Sequence, residues 1–421
     1  MKSIPWPVAV AVLVGCSGAQ GALGSADAGD GASGSSSGGG SGGSSGGGSG
    51  GGSGSSSGGG SGGGSGGGSG SSSGGNTDSG PCPPCDPANV NLKGSGCDLD
   101  CSGTTDPPGP CDSALTAAGP AGDFAKALGL CQPATGSTWG LISAAYTQGY
   151  DTTTAPNAGQ HGILPSFGSV IVPREGARLG VLSSGYASTC DDPSPSASCT
   201  GSGTGDPYLK GTQTAMDPTI PGTAPPGYPK ASGACAVATT VADVIGVTLK
   251  IKVPKNAAGM SFDFDFYSSE WPEWVCTTFN DSFVAWLQST AWGGHGTGDF
   301  NLAFDQTGNC ISVNSPFLTR CTAGTPTGCS GTVAGTAACP GGPTELQGTG
   351  FYNLGVYCTS QSTGGGATGW LTTTAPVTGG EIITLQFIIW DTGDALYDSS
   401  VLVDHLTWYG TPKAAETTVA Q

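Results

Sequence analysis

The fold is decided by a stretch in which aromatic and acidic residues alternate, Ser261-Phe262-Asp263-Phe264-Asp265-Phe266-Tyr267-Ser268. Successive side chains of a β-strand point to opposite faces of its sheet, so the three phenylalanines would share one face and be buried there. Asp263 and Asp265 would lie on the other face, which we expect to be exposed to solvent. The stretch therefore predicts a strand that covers a core on one side.

A second stretch, Glu381 to Trp390, is long and largely apolar and predicts a central strand with both faces covered. Other short apolar runs are separated by clusters of Gly, Pro, Asn and Ser, which is typical of β-structure without βα alternation. They lie at residues 168–172, 244–253 and 282–287. One helix is predicted, over residues 112–130. The sequence thus predicts a mostly β fold, an antiparallel β-sandwich of jelly-roll type with one short N-terminal helix.

The N-terminus has the features of an export signal followed by a lipid attachment site. Lys2 precedes an apolar segment that ends in Leu13-Val14-Gly15-Cys16, and this tetrad resembles the bacterial lipobox. From Gly31 to Gly75 every residue except Ala32 is Gly or Ser, which predicts a disordered linker. About 45 such residues give a root-mean-square reach of roughly 35 to 40 Å. We expect an exported protein, attached through lipid on Cys16 to the outer membrane or cell surface.

The composition bears on possible partners. The formal net charge is −18, from 30 acidic and 12 basic residues. Such a surface repels nucleic acid, so nucleic-acid binding is not expected. The expected partners are the membrane, through the N-terminal lipid, and an extracellular glycan or protein ligand.

The 16 cysteines of an exported chain indicate disulfides, and lipidation of Cys16 leaves an odd number of the others. A Pro- and Gly-rich segment, residues 81–110, has few apolar residues and should be held by crosslinks. Its Cys82, Cys85, Cys97 and Cys101 have an alternative as a four-sulfur zinc set, because Cys82 and Cys85 have C-x-x-C spacing. Cys111 and Cys131 bracket the predicted helix and form a candidate pair.

The two decisive stretches lead into acidic turns. The first is followed by Glu270-Trp271-Pro272-Glu273-Trp274 and by Asn280-Asp281-Ser282-Phe283, and the second by Asp391-Thr392-Gly393-Asp394 and Asp398-Ser399. Together with Gln160 to Leu164, Pro173 to Arg178 and Gly369 to Thr373, these motifs resemble the choice-of-anchor L domain of bacterial exported proteins. The resemblance covers about 111–410. It implies display outside the cell, by a domain that occurs with varied anchoring signals, and it implies no established activity.

The acidic turns are candidates for a Ca²⁺ site. Ca²⁺ takes six to eight oxygen ligands, often from carboxylates in turns. The alternative is that these Asp and Asn side chains bond their own turns. The candidate ligands are Glu270, Glu273, Asn280, Asp281, Asp391, Asp394 and Asp398.

Catalysis has little support in the sequence. The three histidines are scattered and no Gly-x-Ser-x-Gly elbow accompanies them. No catalytic residues are assigned, and the chain is not expected to be an enzyme. The alternative is a polysaccharide hydrolase with paired carboxylates, Glu270 with Glu273 or Asp391 with Asp394.

The function predicted from the sequence is a surface lipoprotein for adhesion or ligand binding, with a purely structural envelope protein as a further alternative. Exposed aromatic rings can stack on sugars, and Trp271, Trp274 and Trp292 lie within two residues of Pro or Gly and are the candidate platforms. The predicted organisation is a signal peptide (1–15), a lipidated Cys and tether (16–80), a Cys/Pro-rich segment (81–110), the β-sandwich domain (111–410) and a disordered tail (411–421).

Overall fold

A computed structural model describes residues 81–189, 222–318, 342–352 and 364–421, so the predicted signal peptide, Cys16 and the Gly/Ser run lie outside the described residues. One α-helix, α1 (Ala121–Ala127), occurs in the described part of the chain. None of the described helices has the length and apolar character needed to span a membrane. The strands are β1 (Gly140–Thr147), β2 (His161–Leu164), β3 (Leu179–Ser183), β4 (Val241–Lys252), β5 (Gly259–Ser268), β6 (Ser282–Gln288), β7 (Ile311–Ser312), β8 (Gly366–Ala367), β9 (Leu371–Pro376), β10 (Ile382–Thr392), β11 (Ser399–Tyr409) and β12 (Glu416–Val419).

The strands form two antiparallel sheets. The first has the order β1-β4-β10-β6-β7. The second has the order β12-β9-β5-β11-β3-β2, with β8 paired to β5. The predicted mostly β, sandwich-like fold is confirmed, whereas its jelly-roll connectivity stays a prediction.

The main core lies between the two sheets and is built on the alternating stretch. The ring of Phe262 on β5 lies 4.9 Å from that of Phe387 on β10, and the Phe264 ring lies 5.0 Å from that of Phe283 on β6, between ring centroids. All four side chains are fully buried. Burial of such a side chain contributes about 1.5 to 3 kcal/mol, so this aromatic layer is a major source of the sandwich's stability.

The expectation that Asp263 and Asp265 face solvent is wrong, since both side chains are buried. They do lie on the outer face of the second sheet, but a second apolar layer covers that face. Phe167 and Phe351 pack against Tyr267 of β5, with ring centroids 5.1 and 5.4 Å apart. The covering residues come from distant parts of the chain, which the strand pattern alone does not reveal.

Both buried aspartates are hydrogen-bonded. Asp265 accepts bonds from the hydroxyls of Tyr267 (2.8 Å) and Thr368 (3.2 Å), and burial raises its pKa to about 8. Asp263 forms a 3.1 Å ion pair with Arg174 and accepts a 2.6 Å hydrogen bond from Thr372. Thus the acidic face of β5 is a satisfied polar layer inside the protein.

The helix is shorter than predicted. It begins after Pro120, and the ring of a proline disfavours helical geometry for the residue that precedes it. Asp112, at the predicted start, instead accepts hydrogen bonds from the backbone N–H groups of Ala177 (2.8 Å) and Arg178 (2.6 Å). These bonds tie the segment before the helix to the loop that precedes β3.

Residues 411–421 are not a disordered tail. They contain β12, which pairs with β9 along Thr372 and its neighbours. Thr417 of β12 is buried and shares a 2.8 Å hydrogen bond with Thr373. The run of β-branched residues in β12 suits a strand, and the sandwich domain therefore extends beyond residue 410.

The predicted crosslinking of the cysteine-rich segment is confirmed. In the zinc alternative, Cys82, Cys85, Cys97 and Cys101 would be free thiolates, but they form two disulfides, so that alternative is wrong. Cys310 is a free, buried thiol among the cysteines that the structure describes. The described disulfides are Cys82–Cys97, Cys85–Cys101, the predicted Cys111–Cys131, and Cys235–Cys276.

The crosslinked segment packs on one end of the sandwich. The backbone of Val90 forms reciprocal 2.9 Å hydrogen bonds with the side chain of Asn256, in the turn between β4 and β5. Lys255 of the same turn forms a 2.7 Å ion pair with Asp86. We call this end of the sandwich, marked by the β4–β5 turn, the cystine end. The opposite end, where β5 and β10 finish and β4, β6 and β11 begin, carries the acidic turns and is called the acidic end.

Candidate functional site

The register of the strands brings the acidic turns together. In the first sheet Trp390, near the end of β10, pairs with Ser282 at the start of β6. In the second sheet Ser399, at the start of β11, pairs with Ser268 at the end of β5. Every predicted acidic ligand therefore lies in a turn or at a strand end of the acidic end.

Asp281 connects the two sheets at this end. Its Oδ1 accepts a 3.0 Å hydrogen bond from the backbone N–H of Thr392 on β10, and its Oδ2 accepts a 2.7 Å bond from the hydroxyl of Ser399 on β11. The carboxylate is fully buried. Asp281 is thus positioned by both layers of the sandwich.

Glu270 and Asp391 lie close to Asp281 and bring further buried carboxylates to the acidic end. Asp391 is completely buried and Glu270 is 2% exposed. Oε2 of Glu270 and both oxygens of Asp391 have no hydrogen-bond partner. Buried polar atoms are normally satisfied, so these oxygens are available to a proton or a cation.

The electrostatics of the cluster point in the same direction. Burial, together with the charges of Asp281 and Asp394, raises the pKa of Glu270 well above its usual value. Burial and the charges of Asp281 and Asp398 do the same to the pKa of Asp391; the Ser184 hydroxyl, which lies near Asp391 without meeting hydrogen-bond geometry, lowers that pKa by less. Burial raises the pKa of Asp281 to about 7 despite its two hydrogen bonds. Near neutral pH this cluster therefore favours the uptake of positive charge.

The cluster is not a ready-made metal centre. Within the described residues, no three or more His, Cys, Asp or Glu side chains are arranged to hold a metal ion. The amide oxygen of Asn280 already accepts a 3.1 Å bond from the backbone of Asn314, and Asp394 is exposed and accepts a 3.1 Å bond from the backbone of Leu396. Glu273 and Asp398 are buried at the same end. The predicted calcium ligands are brought together at one end, but they do not converge on one point.

The carboxylates proposed for a hydrolase are mostly inaccessible. Glu270 and Glu273 are 2% and 1% exposed, and Asp391 is fully buried. A glycosidase needs its acid and its base on either side of a bound sugar chain. Neither predicted pair presents two carboxylates to a cleft, so this geometry offers no support for hydrolysis.

The three candidate tryptophans do not form a common platform. Trp271 is 1% exposed and belongs to the main core, so its expected exposure is wrong. Trp274 is half-buried and packs edge-on against Phe279, with ring centroids 5.2 Å apart. Trp292 follows β6 towards the cystine end and donates a 3.3 Å hydrogen bond to the carbonyl of Phe300. Trp274 and Trp292 therefore lie towards opposite ends of the sandwich.

The sequence analysis missed several residues of the acidic end. Asp243, near the start of β4, is buried, has a positive φ of 50°, and its charge raises the pKa of Asp391. A side chain at Gly185 would overlap the carboxylate of Asp398, so that carboxylate would have to shift to admit any other residue. The close approach of Gly185 to Asp398 has no sequence signal of its own.

Comparison with known protein families gives a match over the acidic end. Residues 242–407 match the family model of the Choice-of-anchor L domain, a region that runs from the start of β4 almost to the end of β11. No curated protein and no solved structure matches the chain. The matched family is a surface-anchor type of domain and not an enzyme family. The matched region includes every predicted ligand at the acidic end, so residues 242–407 are the choice-of-anchor L domain of this chain, a domain that suggests a surface-associated protein.

Proposed function

We propose that this protein is a lipid-anchored surface protein that holds its β-sandwich away from the membrane to bind an extracellular ligand. The choice-of-anchor L domain supports a place at the cell surface. The lipobox ending at Cys16 and the Gly/Ser run from Gly31 to Gly75 support the means of attachment. Lipid at Cys16 secures one end of the tether, and its roughly 35 to 40 Å reach clears the headgroup layer.

The position of the crosslinked segment, at the cystine end, is the observation that carries this proposal. The described chain begins with residues 81–110, which lie on the β4–β5 turn through Val90 and Asn256. Two disulfides make that segment a compact attachment point. The segment that follows the tether in the sequence therefore packs at the cystine end, opposite the acidic end.

The acidic end is proposed to be stabilised by Ca²⁺. The unpartnered oxygens of Glu270 and Asp391 and the raised pKa values there support a site that gains from positive charge. Hard carboxylate oxygens suit Ca²⁺. Because the side chains do not converge, binding requires them to turn towards a common point.

The attachment is tested with the full chain in a bacterial host that has two membranes. We expect the wild type to partition into detergent, and added protease to digest it on intact cells. Cys16→Ala should abolish the detergent partitioning, because it removes the thiol that carries the lipid. Ser17→Ala, a change of the adjacent residue, is the matched control and should behave like the wild type. Detergent partitioning by Cys16→Ala, or protection of the wild type from protease, would contradict the proposal.

A further inference from the structure

The outer face of the first sheet carries a groove that is separate from the acidic end. A cavity of about 380 Å³ opens there, within the size range of small-ligand sites. Its floor is formed by adjacent strands: Thr248 of β4 pairs with Gln386 of β10, and Thr384 of β10 pairs with Gln288 of β6. The loop that follows β1 forms its wall, through Tyr150. We call this cavity the sheet groove.

The lining of the sheet groove combines apolar surface with polar groups and is almost uncharged. Hydroxyl and amide groups supply its polar part, and each of these groups can both donate and accept hydrogen bonds. Asp151, an exposed residue, carries the one formal charge among the described lining residues. A ligand with many hydroxyls and no net charge matches this lining. With a net charge of −18 on the chain, an anionic polymer would be repelled.

Part of the floor is held in place before any ligand binds. The amide nitrogen of Gln386 donates a 2.8 Å hydrogen bond to the hydroxyl of Thr248, and Gln386 is 8% exposed. That bond fixes the amide while its carbonyl oxygen has no hydrogen-bond partner among the described residues. The hydroxyl of Thr384 likewise makes no side-chain hydrogen bond within the described protein. Fixed polar groups with spare capacity lower the ordering cost of binding.

The wall supplies an aromatic ring. Tyr150 packs edge-on against the buried Trp286, with ring centroids 5.5 Å apart, and its backbone N–H donates a 2.7 Å bond to the carbonyl of Thr223. The ring is therefore supported from behind and remains half-buried at the cavity. A supported aromatic ring next to hydroxyl and amide groups suits a pyranose, which has apolar C–H faces and polar edges.

We propose that the sheet groove binds a neutral oligosaccharide. This inference rests on the proposed function, because it names the ligand class of the displayed domain. It also gives the site: the groove formed by Tyr150, Thr248, Gln288, Thr384 and Gln386, and not the tryptophans near the strand ends.

The test uses the purified full chain and a panel of defined sugars, with binding measured by calorimetry. The probes are neutral hexasaccharides of glucose, xylose and mannose, with an oligogalacturonate as the anionic comparison. We expect saturable binding of at least one neutral probe and none of the anionic one. Thr384→Val keeps the side-chain shape but removes the hydroxyl, and should weaken binding at least fivefold; Tyr150→Ala should weaken it at least tenfold.

Thr418→Val is the matched control, because Thr418 is an exposed residue of β12 in the other sheet. It should leave the affinity unchanged, and circular dichroism checks that all the variants are folded. Neutral-sugar binding that survives both groove variants would overturn the proposal. So would binding of the anionic probe alone, or no sugar binding by a chain that passes the Cys16 display test. The last result would leave the display proposal intact and point to a protein ligand.

Discussion

The Ser399 hydroxyl donates a 2.7 Å hydrogen bond to the buried Asp281 carboxylate, and this bond joins the second sheet to the turn before β6 of the first. Asp281 also receives the backbone N–H of Thr392, so one carboxylate binds the end of β10 and the start of β11. The sandwich is held together at its acidic end by a polar contact, whereas the aromatic layer of Phe262 and Phe387 holds its middle.

Removing this link should destabilise the domain measurably. Ser399→Ala deprives a buried carboxylate of one donor, and we expect a loss of about 1 to 3 kcal/mol in the free energy of unfolding. Urea unfolding at pH 8 measures it. Ser400→Ala is the matched control, because the neighbouring hydroxyl donates a 2.8 Å bond to the neutral hydroxyl of Ser183 and should matter less. If Ser399→Ala lost no more free energy of unfolding than Ser400→Ala, Asp281 would not depend on this donor.

Asp265 should make stability depend on pH. Burial raises its folded-state pKa to about 8, against about 3.9 in an unfolded chain. Between these values the folded state holds a proton that the unfolded state has lost, so this group's contribution to stability falls as pH rises from about 4 to about 8. Asp265→Asn should remove that fall. As pH rises through this range, the free energy of unfolding of the variant should therefore increase relative to that of the wild type, by up to about 1.4 kcal/mol per pH unit.

The neighbouring carboxylate provides the opposite sign as a control. Burial alone would raise the pKa of Asp263, but hydrogen bonds from His405, Thr372 and Arg174 outweigh burial and lower it. Its contribution is present above the unfolded pKa and is lost as pH falls through the folded one. Chemical unfolding of Asp263→Asn and of Asp265→Asn from pH 4 to pH 9 separates the contributions of the two carboxylates. Parallel curves for Asp265→Asn and wild type would rule out a raised pKa at Asp265.

The strands that local pattern predicts well are those whose burial is decided by their own sequence. The aromatic alternation around Phe264 gives β5 to within two residues, and the apolar run before Asp391 gives β10 equally closely. The turns that follow them meet because neighbouring antiparallel strands begin and end together. The sequence therefore indicated an acidic turn after each of these strands, whereas the register of the two sheets decides that the turns meet at one end.

The predictions from sequence are wrong where segments distant along the chain decide which residues are buried. Asp265 is buried because Phe167 and Phe351 cover the outer face of its sheet, and no local signal announces that cover. The apolar run 168–172 is not a strand: Gly168 has a φ of 64°, and Phe167 pairs with Ile171 in a single bridge around a turn. The sheet groove was missed for the same reason, since its residues come from β4, β6, β10 and a loop, and each looks like an ordinary polar position.

Cys310 should be chemically silent in the folded protein. The thiol is buried beside Val284 and Trp390, and burial raises its pKa to about 11. Thiolate is the reactive form, so iodoacetamide at pH 8 should leave the Cys310 peptide unlabelled in the native protein and label it in 6 M guanidinium without reductant. Mass spectrometry of the digested chain gives the readout. Rapid labelling of Cys310 in the native protein would mean that the apolar cluster around it, with Val284 and Trp390, opens readily.

Calcium should raise the melting temperature of the full chain above its value in excess EDTA, because a ligand that binds only the folded state stabilises it. Asp391 is the sharpest probe, since both of its buried oxygens lack a hydrogen-bond partner. Asp391→Asn removes the charge at nearly constant size and should abolish the calcium-dependent rise, while raising the melting temperature in EDTA at pH 8 by relieving repulsion from Asp281.

Asp151→Asn, which changes an exposed carboxylate at the sheet groove, is the matched control and should keep the full calcium response. If wild type and Asp391→Asn respond to calcium alike, the ion binds elsewhere; if Mg²⁺ stabilises as strongly as Ca²⁺, the cluster selects charge and not a calcium geometry.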